Sequence, residues 1–404
     1  MIYRNILFFL IAITGILFSC EPEQNKTSQT EKDITKWRAT ITNTHQKEVP
    51  FYLTVEGSGD QQVWTVINGE ERMVLNEVFY EGDSLHIPLL MYEAELVVKE
   101  GQDMMNGQFV RKEAYRLPFV AKKGGDRRFP KGEKPTVNFT GNYAVKLGKT
   151  DAIGLFNQHE DYLTGTFLTS TGDYRFLEGN VSGNKMYLSS FDGVHILRFE
   201  AELEGEKIVN GKMWSGKSRV EDWKGINDPR AELPDPKALT YLKKGFDKFT
   251  FSFNNKEGEM VSLEDSVYKD KVVIVQIMGS WCPNCLDEAN FFVPLYEKYK
   301  PKGLEIVGLS FERAAESEKA YKRINRMKEK LNIDYEVLYA GTPKQTAQAL
   351  PMLNKVMSFP TSIVLERNGE VAQIHTGFSG PSTGHYYDDY VKEFTALIDS
   401  LIKE

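Results

Sequence analysis

The sequence of 404 residues predicts a protein in two parts: an N-terminal all-β domain, built as an antiparallel barrel or sandwich, and a C-terminal α/β domain. Between residues 37 and 225, short runs of alternating apolar and polar residues are separated by turns rich in Gly, Asn and Asp, which is typical of antiparallel hairpins. From residue 246 onward, strand and helix patterns alternate and end in a hairpin, which predicts a mixed sheet covered by helices on both faces.

The composition indicates a folded protein with more than one domain. The chain is 41% hydrophobic and 12% aromatic, enough for the cores of two or three domains and too apolar for a disordered protein. Its net charge of −7, without a dense Lys/Arg stripe, argues against a nucleic-acid partner. The three cysteines are Cys20 and the pair Cys282 and Cys285, so a framework of structural disulfides is excluded.

Residues 1–19 have the pattern of a lipoprotein signal peptide. Arg4 precedes an apolar core over residues 6–18 that is too short for a comfortable membrane span. The sequence Leu-Phe-Ser-Cys ending at Cys20 resembles a bacterial lipobox, so we expect Cys20 to be lipidated and residues 20–36 to form a flexible tether. The alternatives are a cleaved secretory signal and an uncleaved anchor. We expect a location in the cell envelope, lipid-anchored on the periplasmic side or exposed at the surface.

The all-β region contains an internal repeat. Residues 93–96 followed by 106–109 correspond to residues 200–203 followed by 210–213. Two similar halves of about five strands each predict one closed barrel or a two-sheet sandwich, in which closure would hide the edge strands. A barrel of this size either holds a small ligand or fills with its own side chains. A linker punctuated by prolines, over residues 226–245, separates this region from the next domain.

The C-terminal domain, residues 246–404, follows a strand–helix alternation. Its most apolar segment, residues 272–278, is rich in β-branched residues and predicts a buried strand. The helix after it carries the only cysteine pair of the chain. Further strands are predicted at 304–310, 335–339, 361–365 and 370–375, and further helices at 316–331, 342–353 and 386–402.

The cysteine pair lies where a strand meets a helix, in the sequence Gly-Ser-Trp-Cys-Pro-Asn-Cys over residues 279–285. Pro283 suits the first turn of a helix, because its missing N–H has no intrahelical partner there. Cys282 is therefore predicted at the helix N-terminus, where free N–H groups and the helix dipole favour a thiolate. Cys285 follows one turn deeper on the same face. In this setting the pKa of a cysteine falls from ~8.5 to about 3.5–7.5.

This pattern predicts disulfide exchange. Cys282 would attack a substrate disulfide, Cys285 would resolve the mixed disulfide, and a buried Glu288 would exchange a proton near Cys285. A structural zinc site needs four ligands, and the chain has no second pair of cysteines to complete one. The haem-attachment pattern C-x-x-C-H is also excluded, because the residue after Cys285 is Leu286 and not histidine. A purely structural disulfide is the remaining alternative. No cofactor or metal is predicted.

Residues 280–285 with Glu288, followed by Ser-Phe-Pro-Thr at 358–361 and a Gly-containing hairpin, resemble the TlpA/ResA-type thiol:disulfide oxidoreductases of the thioredoxin superfamily. The resemblance covers residues 246–404, under half the chain. It implies a thioredoxin-like fold and a proton-handling role for Glu288.

The same resemblance implies a cis peptide bond before Pro360, packed against the dithiol, and a substrate-binding role for Trp281, Phe359 and Pro360. Taken without the resemblance, Pro360 also fits the plain start of a strand. Three positions depart from the family pattern: proline precedes asparagine in C-P-N-C, Gln276 replaces a buried Asp or Asn, and Met278 replaces an aromatic residue. These three departures leave the redox potential of the cysteine pair open, but they do not change the expected reaction, which is thiol–disulfide exchange.

We therefore expect a membrane-tethered thiol:disulfide oxidoreductase that reduces protein disulfides outside the cytoplasm, supplied by a membrane electron donor, as the resemblance to the reducing branch implies. One alternative is a thiol peroxidase, but peroxiredoxins place a threonine three residues before the attacking cysteine, where this chain has Gly279. The other is a lipoprotein whose barrel binds a ligand or partner while the redox domain is secondary.

Overall fold

The structure, a computed structural model, describes residues 34–75, 77–111 and 114–403. The predicted signal peptide, most of the predicted tether and the predicted lipidation site Cys20 lie outside the described residues. Within the described part of the chain, no helix is both long and apolar enough to cross a membrane. The fold class predicted from the sequence is confirmed: antiparallel β structure comes first and a mixed α/β domain follows.

The first sheet has nine antiparallel strands and stays open. Its order is β4-β3-β2-β1-β9-β8-β7-β6-β5, so the first strand pairs with the last while β4 and β5 remain the two edges of a half-barrel. Strand β1 begins within the predicted tether. The strands are β1 Ile34–Thr42, β2 Glu48–Glu56, β3 Val63–Asn68, β4 Glu71–Leu75, β5 Phe79–Glu81, β6 Ser84–Leu89, β7 Ala94–Glu100, β8 Met104–Arg111 and β9 Tyr115–Lys123.

The second sheet also has nine strands, but eight of them close into a barrel. Strand β10 pairs with both β11 and β18, and the additional pairing of β11 with β12 completes the circle, while the two-residue β13 only extends β12. The strands are β10 Gly141–Leu147, β11 Thr150–His159, β12 Tyr162–Thr169, β13 Gly172–Asp173, β14 Leu177–Ser182, β15 Lys185–Phe191, β16 Ile196–Glu204, β17 Lys207–Ser215 and β18 Arg219–Asn227.

The two sheets share one strand order. When β1 is matched with β10 and each later strand with its counterpart, every strand pairing of the first sheet has an equivalent in the second. The second sheet has one additional pairing, between β12 and β14, which the corresponding strands β3 and β5 do not make. The repeated sequence motifs fall on the matched strands β7 and β16 and their partners β8 and β17. The expectation of about five strands per half was wrong, since each sheet has nine strands; the shortest of them, β5 and β13, leave no alternation to detect.

Buried contacts join the half-barrel to the barrel. Phe191, at the end of β15, enters the core of the half-barrel, with ring centroids 4.5 Å from Phe51 and 5.5 Å from Phe109. Arg128, in the segment between the sheets, is 1% exposed; it donates to the Ile67 carbonyl at 2.7 Å and pairs with the Glu178 carboxylate at 2.9 Å. The barrel interior itself is filled by buried apolar side chains, among them Phe167, Leu188, Phe199 and Trp223.

The C-terminal domain is a five-stranded mixed sheet of order β23-β22-β21-β24-β25, in which the first three strands are parallel and the last two antiparallel. A small hairpin, β19 with β20, precedes it. The elements are α1 Pro236–Leu239, β19 Ser252–Asn254, β20 Met260–Ser262, β21 Val272–Met278, α2 Pro283–Tyr299, β22 Leu304–Phe311, α3 Ser317–Leu331, β23 Glu336–Gly341, α4 Thr346–Ala349, β24 Thr361–Leu365, β25 Val371–Thr376 and α5 His385–Lys403.

The helices divide unequally between the two faces of this sheet. Alternate residues of β21 point to opposite faces, and the three long helices α2, α3 and α5 pack together on one of them. The opposite face is covered by the segment containing Phe249 and Tyr268 and by residues around the one-turn α4. The helix predicted at 342–353 is wrong in length, since α4 spans only Thr346–Ala349. Pro351 accounts for this, because a residue that precedes proline avoids the helical conformation and Leu350 has already left it.

Candidate redox site

The central strand and the helix after it place the two cysteines. All seven residues of β21 are buried, so the strand is fixed at the middle of the sheet. Cys282 is the N-cap of α2, and its sulfur accepts a hydrogen bond from the backbone N–H of Cys285 at 3.4 Å. The helix N-terminus predicted for Cys282 is confirmed. Both cysteines are free thiols, and among the described residues no group of three or more His, Cys, Asp and Glu side chains is arranged to hold a metal ion.

The two thiols differ in accessibility. Cys282 is 7% exposed, whereas Cys285 is fully buried one turn further along the helix. Burial raises the pKa of Cys285 well above its ordinary value, and its hydrogen bond with Cys282 adds to that effect. Because only a thiolate attacks a disulfide, this difference favours Cys282 as the first nucleophile and keeps Cys285 protonated until it is needed.

The loop before β24 closes over the dithiol. The peptide bond between Phe359 and Pro360 is cis, which confirms the expectation for this bond. The Cys282 thiol donates to the Phe359 carbonyl at 3.3 Å, and the Trp281 ring meets the Phe359 ring edge-on with centroids 5.7 Å apart. The structure thus brings Trp281, Cys282, Phe359 and Pro360 together, while their role in binding a substrate stays a prediction.

Glu288 lies on α2, three residues after Cys285, and faces the interior. Its carboxyl group is fully buried; it accepts a hydrogen bond from the Gln276 amide at 2.9 Å and lies 3.4 Å from the Tyr390 hydroxyl. Burial raises the pKa of Glu288 to about 8, although the hydrogen bond from Gln276 opposes the rise. The same Gln276 amide reaches the Cys285 carbonyl at 3.4 Å. Gln276, noted in the sequence as a departure, therefore links the Glu288 carboxyl group to the backbone of Cys285.

A second buried carboxylate, Glu312, positions the turn that carries Cys282. It accepts hydrogen bonds from the Ser280 backbone N–H at 2.9 Å, from the Ser280 hydroxyl at 2.8 Å and from the Ser310 hydroxyl at 2.6 Å. Sequence reasoning missed Glu312, because a single glutamate after a strand carries no motif. The one available signal was a charged residue directly after the buried strand β22.

The barrel contributes residues to the surroundings of the dithiol, and these were also missed. The turn between β12 and β13, residues 169–173 (the β12–β13 turn), contacts the cis-proline loop and the first turn of α2. The Ser358 hydroxyl donates to the Thr171 carbonyl at 2.6 Å, and the Asn284 amide, between the two cysteines, donates to the Asp173 carbonyl at 3.2 Å. No local pattern in the sequence predicts a contact between segments this far apart.

The site thus combines a cysteine that caps a helix with a loop that contains a cis proline. Residues 246–374 match the AhpC/TSA family. The match covers the C-terminal domain up to β25 and leaves both N-terminal sheets outside it.

Curated relatives are similar to the same third of the chain. The thiol-disulfide oxidoreductase ResA of Bacillus thuringiensis subsp. konkukian is 29% identical over 145 residues, which is 36% of this chain and 75% of that protein. ResA of Bacillus subtilis is 25% identical over 151 residues, which is 37% of this chain and 77% of that protein. Among solved structures, a thiol:disulfide interchange protein of the thioredoxin family from Chlorobium tepidum is 20% identical, with a TM-score of 0.30 over 40% of this chain and 98% of that one.

Proposed function

We propose that this protein is a thiol:disulfide oxidoreductase, tethered to a membrane through Cys20, that reduces protein disulfides outside the cytoplasm. The observation that carries the proposal is the placement of Cys282: it caps a helix, its sulfur faces the carbonyl before a cis proline, and a buried Cys285 lies one turn behind it. The similarity of the C-terminal third to proteins named ResA supports the same chemistry.

The reaction runs in two exchanges. The Cys282 thiolate attacks one sulfur of the substrate disulfide, the sulfur–sulfur bond breaks, and the other substrate sulfur leaves as a thiolate that takes up a proton. The substrate is then held through a mixed disulfide to Cys282. Cys285, once it has lost its proton, attacks the Cys282 sulfur, and the second substrate sulfur leaves. Two electrons pass from the dithiol to the substrate, and the protein is left with a Cys282–Cys285 disulfide.

Glu288 supplies the proton relay for the second exchange. Its carboxyl group feels the same burial as Cys285, and with a pKa of about 8 it is ionised in a minor fraction of molecules near neutral pH. An ionised Glu288 accepts the proton that Cys285 must lose. The Gln276 amide, bonded to the carboxylate oxygen, holds that group in place as the proton moves.

Turnover requires a source of electrons that regenerates the dithiol. Outside the cytoplasm that source is a membrane electron donor, which itself undergoes disulfide exchange with Cys282. A lipid on Cys20 would keep the enzyme beside such a donor. The apolar filling of the barrel interior disfavours the alternative in which the barrel encloses a ligand and the redox domain is secondary.

The test is the redox midpoint of the Cys282/Cys285 pair in the full-length chain in detergent, together with reduction of insulin disulfides in the presence of dithiothreitol. We expect a reversible couple between roughly −180 and −270 mV. Cys282→Ser should abolish turnover, and the matched control Cys20→Ser should retain it.

Insulin reduction that is indifferent to Cys282→Ser would overturn the proposal. So would the absence of a reversible couple. Turnover of hydrogen peroxide in preference to insulin would instead assign the site to a thiol peroxidase.

A further inference from the structure

The β12–β13 turn lies against the residues that surround the Cys282 sulfur. Ser358, whose hydroxyl donates to the Thr171 carbonyl, comes directly before Phe359, and the Phe359 carbonyl accepts the Cys282 thiol. On the other side, Asn284 comes two residues after Cys282 and its amide donates to the Asp173 carbonyl. The turn therefore bridges the cis-proline loop and the first turn of α2, the two segments between which the reactive sulfur lies.

Side-chain contacts fasten the turn to the C-terminal domain. The Asp173 carboxylate accepts a hydrogen bond from the Gly380 backbone N–H at 2.6 Å and one from the Ser382 hydroxyl at 3.2 Å. Just beyond β13, the Arg175 guanidinium pairs with the carboxylate of Asp287 on α2 at 3.1 Å and also with Glu71 of the half-barrel. The barrel is thus held to the dithiol helix at more than one point.

The packing at this contact leaves no room for an additional atom. Gly172 has a φ of +131°, and a Cβ built on it would lie 2.3 Å from the Asn284 amide nitrogen. Gly377, in the loop after β25, has a φ of +78°, and a Cβ there would lie 2.8 Å from the Thr171 carbonyl carbon. Gly377 lets its loop meet the backbone of the turn, and Gly172 lets the turn lie against the Asn284 side chain, as in a close-packed interface.

We propose that the β12–β13 turn is a cap that closes the dithiol to protein disulfides and must lift before one can react with Cys282. This inference rests on the proposed function. A disulfide in a polypeptide brings its flanking backbone with it, and the attacking sulfur has to approach along the sulfur–sulfur axis. Cys282 is 7% exposed, and backbone of the barrel already occupies contacts with Ser358 and Asn284 on both sides of it.

The cap selects by size. A small thiol reagent needs only the sulfur itself, whereas a protein disulfide needs the surface that the turn covers. A cleft of about 650 Å³ borders the turn, between the barrel, residues 229–237 and the C-terminal domain, and Gly172 and Phe378 are among its lining residues. The turn is therefore bounded by open space on one side, into which it can move.

The experiment compares two reagents on Cys282 in the full-length chain with Cys20→Ser, which removes the only other cysteine outside the pair. N-ethylmaleimide and a maleimide carrying a long polyethylene glycol chain are reacted separately, and modified Cys282 is quantified by peptide mass spectrometry. Asp173→Ala removes the bonds to Gly380 and Ser382. Gly172→Ala puts a Cβ where the Asn284 amide lies, which breaks the contact between that amide and the turn, and it serves as an independent second variant.

The matched control is Asp222→Ala, which removes an exposed carboxylate from the same barrel, where it pairs with Lys212. We expect Asp173→Ala and Gly172→Ala to raise the rate of the large reagent relative to the small one by about tenfold, the scale of one or two lost hydrogen bonds. Asp222→Ala should leave that ratio at its wild-type value.

A ratio that is the same in wild type, Asp173→Ala and Gly172→Ala would overturn the cap. Slower insulin reduction in Asp173→Ala and Gly172→Ala, with the ratio of the two labelling rates unchanged, would also overturn the cap. It would indicate instead that the turn is a surface that binds the substrate. Since labelling does not depend on turnover, failure of the proposed function is distinguishable: insulin reduction would then be absent in every variant while the labelling ratios still changed.

Discussion

At the scale of single residues, Glu288 carries a large electrostatic penalty at the redox site. Its side chain belongs to the dithiol helix α2 and is fully buried, and that burial raises its pKa to about 8 from an ordinary value of 4.5. A shift in this direction means that the native protein keeps a proton that the unfolded chain has already lost. The free energy of unfolding therefore falls as the pH rises from about 4.5 to about 8.

Glu288→Gln should remove this pH dependence, because an amide of the same shape has no proton to lose. Between about pH 6 and about pH 9, we expect the wild type to lose about 2 to 3 kcal/mol more unfolding free energy than Glu288→Gln. Urea unfolding at the two pH values measures this difference. The control is Glu297→Gln, an exposed position on the same helix. Equal pH dependence in the wild type and Glu288→Gln would contradict the buried, protonated carboxyl group.

At the scale of secondary-structure elements, Glu312 joins the end of β22 to the turn before α2. Three donors converge on one buried carboxylate, two of them from Ser280. Replacing that carboxylate by an amide turns an acceptor into a donor that faces other donors, which leaves buried polar groups unsatisfied.

We therefore expect Glu312→Gln to lower the unfolding free energy by about 1 to 3 kcal/mol, and Ser280→Ala to lower it by roughly 1 kcal/mol because the backbone bond remains. Urea unfolding measures both, and insulin reduction should slow in the same order. Glu316→Gln, a few residues on at an exposed position, is the control. A stable and fully active Glu312→Gln variant would remove Glu312 from the set of positioning residues.

Elements with a strong local pattern were predictable from the sequence, and weakly patterned ones were not. The cysteine pair sits between a uniformly apolar strand and a proline at the first helical position, and each of these signals is contained within a few residues. The cis bond before Pro360 followed from family resemblance and not from the residues alone. Glu312 has no such signal, since its partners are defined by the meeting of β22 with the turn after β21.

At the scale of the whole molecule, the pair of Arg128 and Glu178 joins the half-barrel to the barrel. Both side chains are almost completely buried, at 1% and 7% exposed, and Arg128 also donates to backbone carbonyls of Pro50 and Ile67 in the half-barrel and of Ser189 in the barrel. Removing one member of a buried ion pair leaves the other charge without compensation, which is more harmful than losing an exposed pair.

We expect Glu178→Gln to lower the unfolding free energy by about 3 to 5 kcal/mol. The exposed pair of Lys212 and Asp222 provides the comparison, and Asp222→Asn should cost less than about 1 kcal/mol. Urea unfolding of both variants, followed by tryptophan fluorescence, decides between them. Similar small losses in the two variants would show that the two sheets are held together by apolar packing, such as that around Phe191, and not by this ion pair.

The sequence predicted the order of the β region and the α/β domain, but not how the strands pair or how the domains contact each other. Alternation of apolar and polar residues reports which face of a strand is buried, and it predicted antiparallel β structure correctly. It does not report which strand pairs with which, so the open half-barrel and the closed barrel gave the same signal. The contacts of Thr171 with the cis-proline loop and of Asp173 with the loop around Gly380 depend on how two finished domains meet, which no window of sequence contains.

The strand order of the barrel also has a consequence for the time course of synthesis. A chain emerges N-terminus first and its domains fold as units, so the barrel, which closes when β18 reaches β10, is complete at Asn227 before Cys282 has been made. The β12–β13 turn is then already presented when the cysteine pair arrives, and the last domain to fold does so against a surface built in advance. The reactive sulfur of a newly made chain therefore comes to lie against a turn that formed before it.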